Sequence, residues 1–306
     1  MPARLPKAPT RTALITDATS GIGLQVSIAL AAQGYAVTLI GRDRKRLAAC
    51  LALVATTARD PGACGTELVD LSDLAQVGAA ARAIRARGRP LSILVNNAAV
   101  MAPARHTTGP DGYELQMTVN HLAHHVLTAT LLPLLREMEG GRVVTVSSIR
   151  HHDGDMDDPA PWSPLPYDPR RSYATSKLWG LAYALWLDNA LMRDPAGTRS
   201  VAAHPGWART NLHGAGPFRS GITAAGTLRL LATACLAQSA GRGAVPILDA
   251  ASGTIGQGLT YLGPCGVREL RGAHSAPARV GQAGLGRFQQ RVAKMSVEPT
   301  RTSIPF

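Results

Sequence analysis

Apolar residues gather in short runs along the chain, each separated from the next by a longer stretch in which apolar positions return every three to four residues. The runs fall at 13–16, 36–40, 67–69, 93–96, 143–147, 200–204 and 259–262. Short apolar runs bounded by turn-forming residues suit strands buried on both faces, and the 3.6-residue periodicity between them suits amphipathic helices. Every run but the last is followed by such a helical stretch. Strands alternating with helices predict parallel βαβ units, so the fold class read from the pattern is α/β: a single doubly wound, seven-stranded parallel sheet with helices on both faces, spanning 12–285. No long linker, internal repeat or low-complexity block divides it. Five prolines between 159 and 169 predict an irregular loop. Residues 1–11 read as a disordered lead and 286–306 as a C-terminal extension.

The first run ends in Thr16-Asp17-Ala18-Thr19-Ser20-Gly21-Ile22-Gly23, and an apolar helical stretch follows at 24–32. A strand, a glycine-containing turn and a helix start provide bare backbone and unpaired N–H groups, which is what a nucleotide pyrophosphate needs. Further on, Tyr173-Ala174-Thr175-Ser176-Lys177 sets a phenol and an ammonium four residues apart on one helix face. With 6 Tyr and 4 Lys in 306 residues, chance produces such a pair in under about one chain in ten. A cation within about 4–6 Å lowers a phenol's pKa by about 1–3 units, toward the range useful for proton transfer. Tyr167 and Arg171 repeat the spacing, but a guanidinium does not titrate usefully.

Asp70-Leu71 follows the third run, Asn96-Asn97-Ala98-Ala99 the fourth and Ser147-Ser148 the fifth; Asn120 lies in a helical stretch, and His204-Pro205-Gly206 closes the sixth. In this order, over about 12–212, the motifs resemble the short-chain dehydrogenase/reductase family, whose pattern runs Thr-Gly-x-x-x-Gly-x-Gly, Asn-Asn-Ala-Gly, Ser, Tyr-x-x-x-Lys and Pro-Gly. The resemblance implies a Rossmann-type fold and hydride transfer between an alcohol and a carbonyl with a nicotinamide dinucleotide. It implies that Ser148 hydrogen-bonds the substrate oxygen, Tyr173 passes the proton, Lys177 binds the nicotinamide ribose and lowers the tyrosine pKa, and Asn120 anchors a water relay. The cofactor would rest on Thr16, Asp17, Thr19, Ser20, Gly21, Ile22 and Gly23. Asp70 would face the adenine with Asn97 holding the strand beside it; Leu71, Ala98 and Ala99 complete that wall, and Pro205, Gly206 and Thr210 lie toward the nicotinamide.

Two positions depart from the family pattern. Ala99 replaces its last Asn-Asn-Ala-Gly residue, a mild change, and Asp17 replaces its first glycine. A carboxylate there repels a pyrophosphate and gives up glycine's freedom to turn, so Asp17 is expected to weaken or reshape the cofactor site. It supports an alternative function, a catalytically silent dinucleotide-binding sensor or subunit. The complete set of Asn120, Ser148, Tyr173 and Lys177 argues for the enzyme.

Gly41-Arg42-Asp43 ends the second strand and puts a basic residue where the adenosine ribose should lie, which favours NADP(H); the acidic Asp43 beside it keeps NAD(H) open. Ser148 and Tyr173 stand 25 positions apart, about twice the common family spacing. The inserted 151–171 segment, with Asp111-Gly112-Tyr113-Glu114 and Asn120-His121-Leu122-Ala123-His124, resembles the retinol-dehydrogenase-like and WW-domain-oxidoreductase-like branch. That branch handles apolar alcohols and carbonyls, with substrate loops expected near 150–171 and 206–222.

A net charge of +12 and a pI of 10.3 raise the question of nucleic acid, but the 28 Arg and 4 Lys are scattered and aromatics make up 4%, without a stacking platform. No specific nucleic-acid partner is expected. Arg229 interrupts the best apolar stretch at 222–237, so no membrane span is expected, and the basic 1–11 segment lacks the apolar core of a secretory signal. Cys50, Cys64, Cys235 and Cys265 form no Cys-x-x-Cys and read as ordinary thiols of a cytoplasmic protein. His121, His124, His125, His151 and His152 read as packing and hydrogen-bonding groups beside the site rather than metal ligands. Asp153, Asp155, Asp157 and Asp158 begin like a calcium loop, but Asp158 occupies its glycine position and Pro164 its final glutamate. The expected partner is a small-molecule alcohol or carbonyl, and the expected assembly a monomer or homodimer.

Overall fold

Strands with both faces buried form the centre of the molecule, since consecutive β-branched and leucine residues leave neither face polar enough for water. The computed structural model describes residues 11–158, 161–163, 165–208, 238–253, 261–284 and 286–305. Its strands are β1 (Thr12–Thr16), β2 (Ala36–Gly41), β3 (Gly65–Leu68), β4 (Ile93–Asn96), β5 (Arg142–Val146), β6 (Arg199–Ala203), β7 (Tyr261–Pro264) and β8 (Ser275–Pro277). They lie in the order β3-β2-β1-β4-β5-β6-β7-β8. The first seven run parallel, and β8 is antiparallel to β7.

Among the described residues the sheet therefore has eight strands, which corrects the expected seven. β8 has three residues, ends in Pro277 and pairs only with β7. A proline is tolerated at a sheet edge, and so short a segment leaves no apolar run to read. The last expected strand, 259–262, is observed as Tyr261–Pro264, with 259–260 outside the described residues.

The helices are α1 (Gly21–Ala32), α2 (Arg44–Ala55), α3 (Leu74–Ala86), a short α4 (Leu115–Met117), α5 (Ala123–Arg136), α6 (Pro169–Leu191), α7 (Ala240–Ser252) and α8 (Gly286–Thr300). Alternation along β1 divides the core, with Leu14 facing one layer and Ala13 and Ile15 the other. One layer holds α3, α5, α6 and α8 with Trp179 fully buried; the other holds α1, α2 and α7. Residues 286–306 thus bring Phe288 and Val292 into the core, and Arg291 donates to the Met156 and Asp158 carbonyls of the inserted segment at 2.8 and 2.6 Å.

The insert starts as a 3₁₀ turn, Ile149–Asp153, and leads into α6 through Asp168, whose carboxylate accepts from the Arg170 and Arg171 N–H groups. Two of its acidic residues are engaged in ion pairs, Asp153 with Arg150 at 3.0 Å and Asp155 with Arg171. The sheet order reverses between β1 and β4, whose connections leave in opposite directions. A crevice forms outside the carboxyl ends of those strands, where a doubly wound sheet binds its ligand.

Candidate active site

The turn after β1 is built as a phosphate cradle. Gly21 has φ 54°, and a Cβ on Gly23 would stand 2.4 Å from the Asp17 carbonyl oxygen, so glycine is required for α1 to begin this close to the strand. Asp43, Asp73 and Asp168 cap α2, α3 and α6, whereas Ser20 makes no side-chain cap to α1 and its first turn carries no acidic residue. The first-turn N–H groups and the helix dipole are thereby left for an anion. These features fit a dinucleotide pyrophosphate.

Asp17 is the one group that does not fit. It takes the left-handed backbone that glycine would adopt, φ 49°, and burial pushes its carboxyl up to about 6 against the opposing pull of Arg46 and Arg42. Arg42 follows β2 and is exposed, and the Arg46 guanidinium, one helical turn on, reaches the Thr19 carbonyl at 3.5 Å. Arg46 stands outside the motifs read from the sequence. Its spacing of four from Arg42 was the available signal.

Asn97 and Ala98 lock the two central strands together. Both donate their N–H to Thr16 Oγ1, at 2.8 and 2.9 Å, and the Asn97 side chain donates to the Thr16 carbonyl at 2.9 Å. Asp70 folds back on Ser72, accepting from its N–H and hydroxyl at 2.9 and 2.8 Å, and Leu71 is buried beside it. Ala99 follows, and Val100 donates to Asn120 Oδ1 at 2.8 Å. Thr210 lies outside the described residues, as does most of the expected 206–222 loop.

Beyond β5, the structure brings Ser148 rather than Ser147 beside Tyr173, where the Ser148 side chain acts to lower the phenol's pKa. Ser147 points inward and donates to the Lys177 carbonyl at 3.2 Å. Tyr167 is likewise turned away, donating to the Pro103 carbonyl at 3.2 Å, and burial pushes its hydroxyl well above the phenol range.

Lys177 corrects one expectation. Its ammonium donates to the Val146 carbonyl at 2.8 Å and lies 5.9 Å from the centre of the Tyr173 ring. The groups that lower the Tyr173 pKa are Ser148 and Arg150, and burial outweighs them, leaving the phenol above its ordinary value. Burial also brings Lys177 down to about 7.

Asn120 sits in a π-helical turn, Thr118–Leu122, and its side chain is fully engaged, donating to the Val100 carbonyl at 3.0 Å and to Ser176 Oγ at 2.9 Å. Its own carbonyl accepts from His124 Nδ1 at 3.2 Å. A carbonyl cannot donate, so that nitrogen carries the proton and Nε2 faces the Thr16 hydroxyl at 3.2 Å as acceptor. Burial and the nearby Lys177 charge push His124 down to about 3, keeping it neutral. His124 thus ties the start of the phosphate turn to Asn120, a role visible only once the fold brings the two together.

The fold and these side chains define a dinucleotide-binding oxidoreductase scaffold, and the short chain dehydrogenase family pattern matches residues 11–158. The chain is 38% identical over 216 residues to polyprenol dehydrogenase of Mus musculus and 34% identical over 205 residues to retinol dehydrogenase 13 of the same organism. Those matches cover 69% and 67% of this chain and 64% and 60% of the relatives, so the chain spans under two thirds of their length. The crystal structure of an uncharacterised protein from Mycobacterium Paratuberculosis superposes with a TM-score of 0.76 at 30% identity, covering 99% of this chain and 98% of that one. A short-chain dehydrogenase from Sphingobium yanoikuyae in complex with NADPH gives 0.58 at 26% identity, covering 76% and 81%. The chain belongs to the short-chain dehydrogenase family, in its retinol-dehydrogenase-like branch.

Proposed function

We propose that this protein is an NAD(P)(H)-dependent oxidoreductase that interconverts an alcohol and a carbonyl, with NADP(H) the favoured cofactor and an apolar small molecule the substrate. The observation that carries the reading is the side-by-side placement of Ser148 and Tyr173 with Lys177 buried close by, near the phosphate cradle. The nicotinamide, when bound, supplies or accepts the hydride. A substrate oxygen between the two hydroxyls would accept from both, and Tyr173 would give up its proton as negative charge develops there. A phenol held above its ordinary pKa is protonated at neutral pH, which supports carbonyl reduction. Ser148 and Arg150, the groups that lower its pKa, stabilise the phenolate left behind.

Arg42 and Arg46 beside Thr19 support a 2′-phosphate, hence NADP(H), and a structural neighbour was solved with NADPH. An apolar substrate is supported by relatives named for polyprenol and retinol and by the packing of Trp162 against Tyr113 in the insert. NADPH consumption across a panel of apolar aldehydes and ketones tests the reading. Tyr173→Phe is expected to lower turnover by about 10²–10⁴-fold while NADPH affinity stays near the parent's. Turnover within about threefold of the parent ends the mechanism. The buried carboxylate of Asp17 favours a silent binder, for which NADPH binding without turnover of any carbonyl would be the sign.

A further inference from the structure

Two consecutive residues in the connection between β7 and β8, Arg268 and Glu269, hold left-handed backbone, φ 53° and 58°, with no glycine to ease it. Such strain persists only where surrounding contacts over-determine it, and it gathers at functional sites. Glu269 Oε1 accepts from the Arg279 N–H at 3.2 Å, and two further contacts of the turn reach one place. Glu269 Oε2 accepts from His204 Nε2 at 2.9 Å, and the next residue's carbonyl, Leu270 O, accepts from the Trp207 N–H at 2.7 Å.

His204 is fully buried at the end of β6, and its tautomer is fixed by its neighbours. The Gly206 N–H donates to Nδ1 at 3.2 Å, so the proton sits on Nε2 and points at Glu269. Gly263 makes room for the ring, since a Cβ there would lie 2.0 Å from His204 Nε2. Gly206, itself at φ 64°, presses so closely on the strained turn that a Cβ would stand 2.5 Å from Leu270 O. Just beyond, Ala208 bridges to Gln238, whose N–H donates to the Trp207 carbonyl at 2.8 Å. Ala208 and Gln238 thus lie side by side.

We infer that Glu269 is a positioning residue of the active site: through His204 it sets the Pro205–Gly206 turn and the base of the segment that follows, and so fixes the nicotinamide side of the crevice. The inference rests on the oxidoreductase reading for the place of that turn beside the nicotinamide. Its argument is geometric. A carboxylate 65 residues away in sequence is held in a strained conformation so that it meets the one free N–H of a buried imidazole, and that imidazole takes the backbone N–H of the turn itself.

The test compares Glu269→Gly, which relieves the backbone and removes the acceptor, with Glu269→Asn, which tolerates left-handed backbone but is one methylene short of His204. Glu269→Gln, which keeps an oxygen for His204 Nε2–H, serves as the rescue. NADPH dissociation constants are read from nicotinamide fluorescence, turnover from NADPH oxidation with decanal, and folding from the thermal midpoint. Glu269→Gly and Glu269→Asn are expected to keep the parent's thermal midpoint or exceed it, yet to weaken NADPH binding and lower kcat on the order of 10–100-fold. Glu269→Gln is expected to recover to within about threefold. Parent-like NADPH binding and turnover in the glycine and asparagine variants overturns the inference, as does a loss that merely follows a fall in thermal midpoint. Should Tyr173→Phe turn out fully active while the Glu269 variants still lose NADPH, the oxidoreductase mechanism fails and the positioning role stands.

Discussion

At Asp17 a single residue turns a backbone position that suits glycine into a titrating one. With its carboxyl pushed up to about 6 by burial, Asp17 is charged at pH 8 and neutral at pH 5. A carboxylate about 8 Å from a pyrophosphate, at an effective dielectric near 20, opposes it by about 2 kcal/mol before screening. Asp17→Asn, which keeps the tolerance for left-handed backbone, is therefore expected to bind NAD+ about tenfold more tightly than the parent at pH 8, with the advantage vanishing by pH 5. NAD+ is the titrant because it carries no 2′-phosphate ionising in the same range. Equal affinities at pH 8 and low salt would mean that the carboxylate faces away from the phosphates. Residues of this kind were readable in the sequence because motif spacing is local: Ser148, Tyr173 and Lys177 announce themselves over thirty positions. His124 and Thr16 are 108 residues apart, and Arg46 and Thr19 27 apart, so their pairing required the fold.

Elements were readable in proportion to their apolar length. β1, β2, β4, β5 and β6 carry mostly apolar runs and lie within a residue or two of where periodicity put them, whereas β8 spans three residues and ends in a proline. The start of α6 was hidden among five prolines, yet the same stretch holds its signal, Asp168 before Pro169, a capping carboxylate ahead of a residue pre-set for the first helical turn. Asp168 accepts from the Arg170 and Arg171 N–H groups at 2.8 and 3.1 Å. Asp168→Ala should cost about 1 kcal/mol, seen as a thermal midpoint lower by a few degrees. NADPH affinity should be unchanged, because the cap holds the beginning of α6 and Tyr173 is fixed a turn later by its own burial. A midpoint equal to the parent's would show that packing along α6 fixes its start without the cap.

For the molecule as a whole, acid is the expected weakness. His121, His124 and His125 are all buried, His121 and His125 on the face that α8 and the following residues cover, with His121 facing Ser296 Oγ at 2.7 Å and His125 the Thr302 carbonyl at 2.8 Å. Burial pushes all three down, His124 to about 3 and His125 to about 4. In the unfolded chain they charge near 6.5, so between about pH 6.5 and 4 the unfolded state binds more protons and stability falls as pH drops, by about 1.4 kcal/mol per histidine per pH unit. Urea midpoints should decline steeply from pH 7 to pH 5; a flat profile would mean these imidazoles are not sealed in solution. The docking of α8 also sets a timetable for the chain's birth. Phe288 meets Trp179 edge-on at 6.0 Å, and Val292 joins the same cluster, so the apolar flank of α5 and α6 lacks its covering until α8 is made. From the end of α6 at Leu191 to the end of α8 at Thr300, at about 5–20 residues per second, that is roughly 5–20 s of translation. Throughout that interval a nascent chain with its first five strands already made must keep an uncovered oily side from its neighbours, the condition under which partly made chains aggregate.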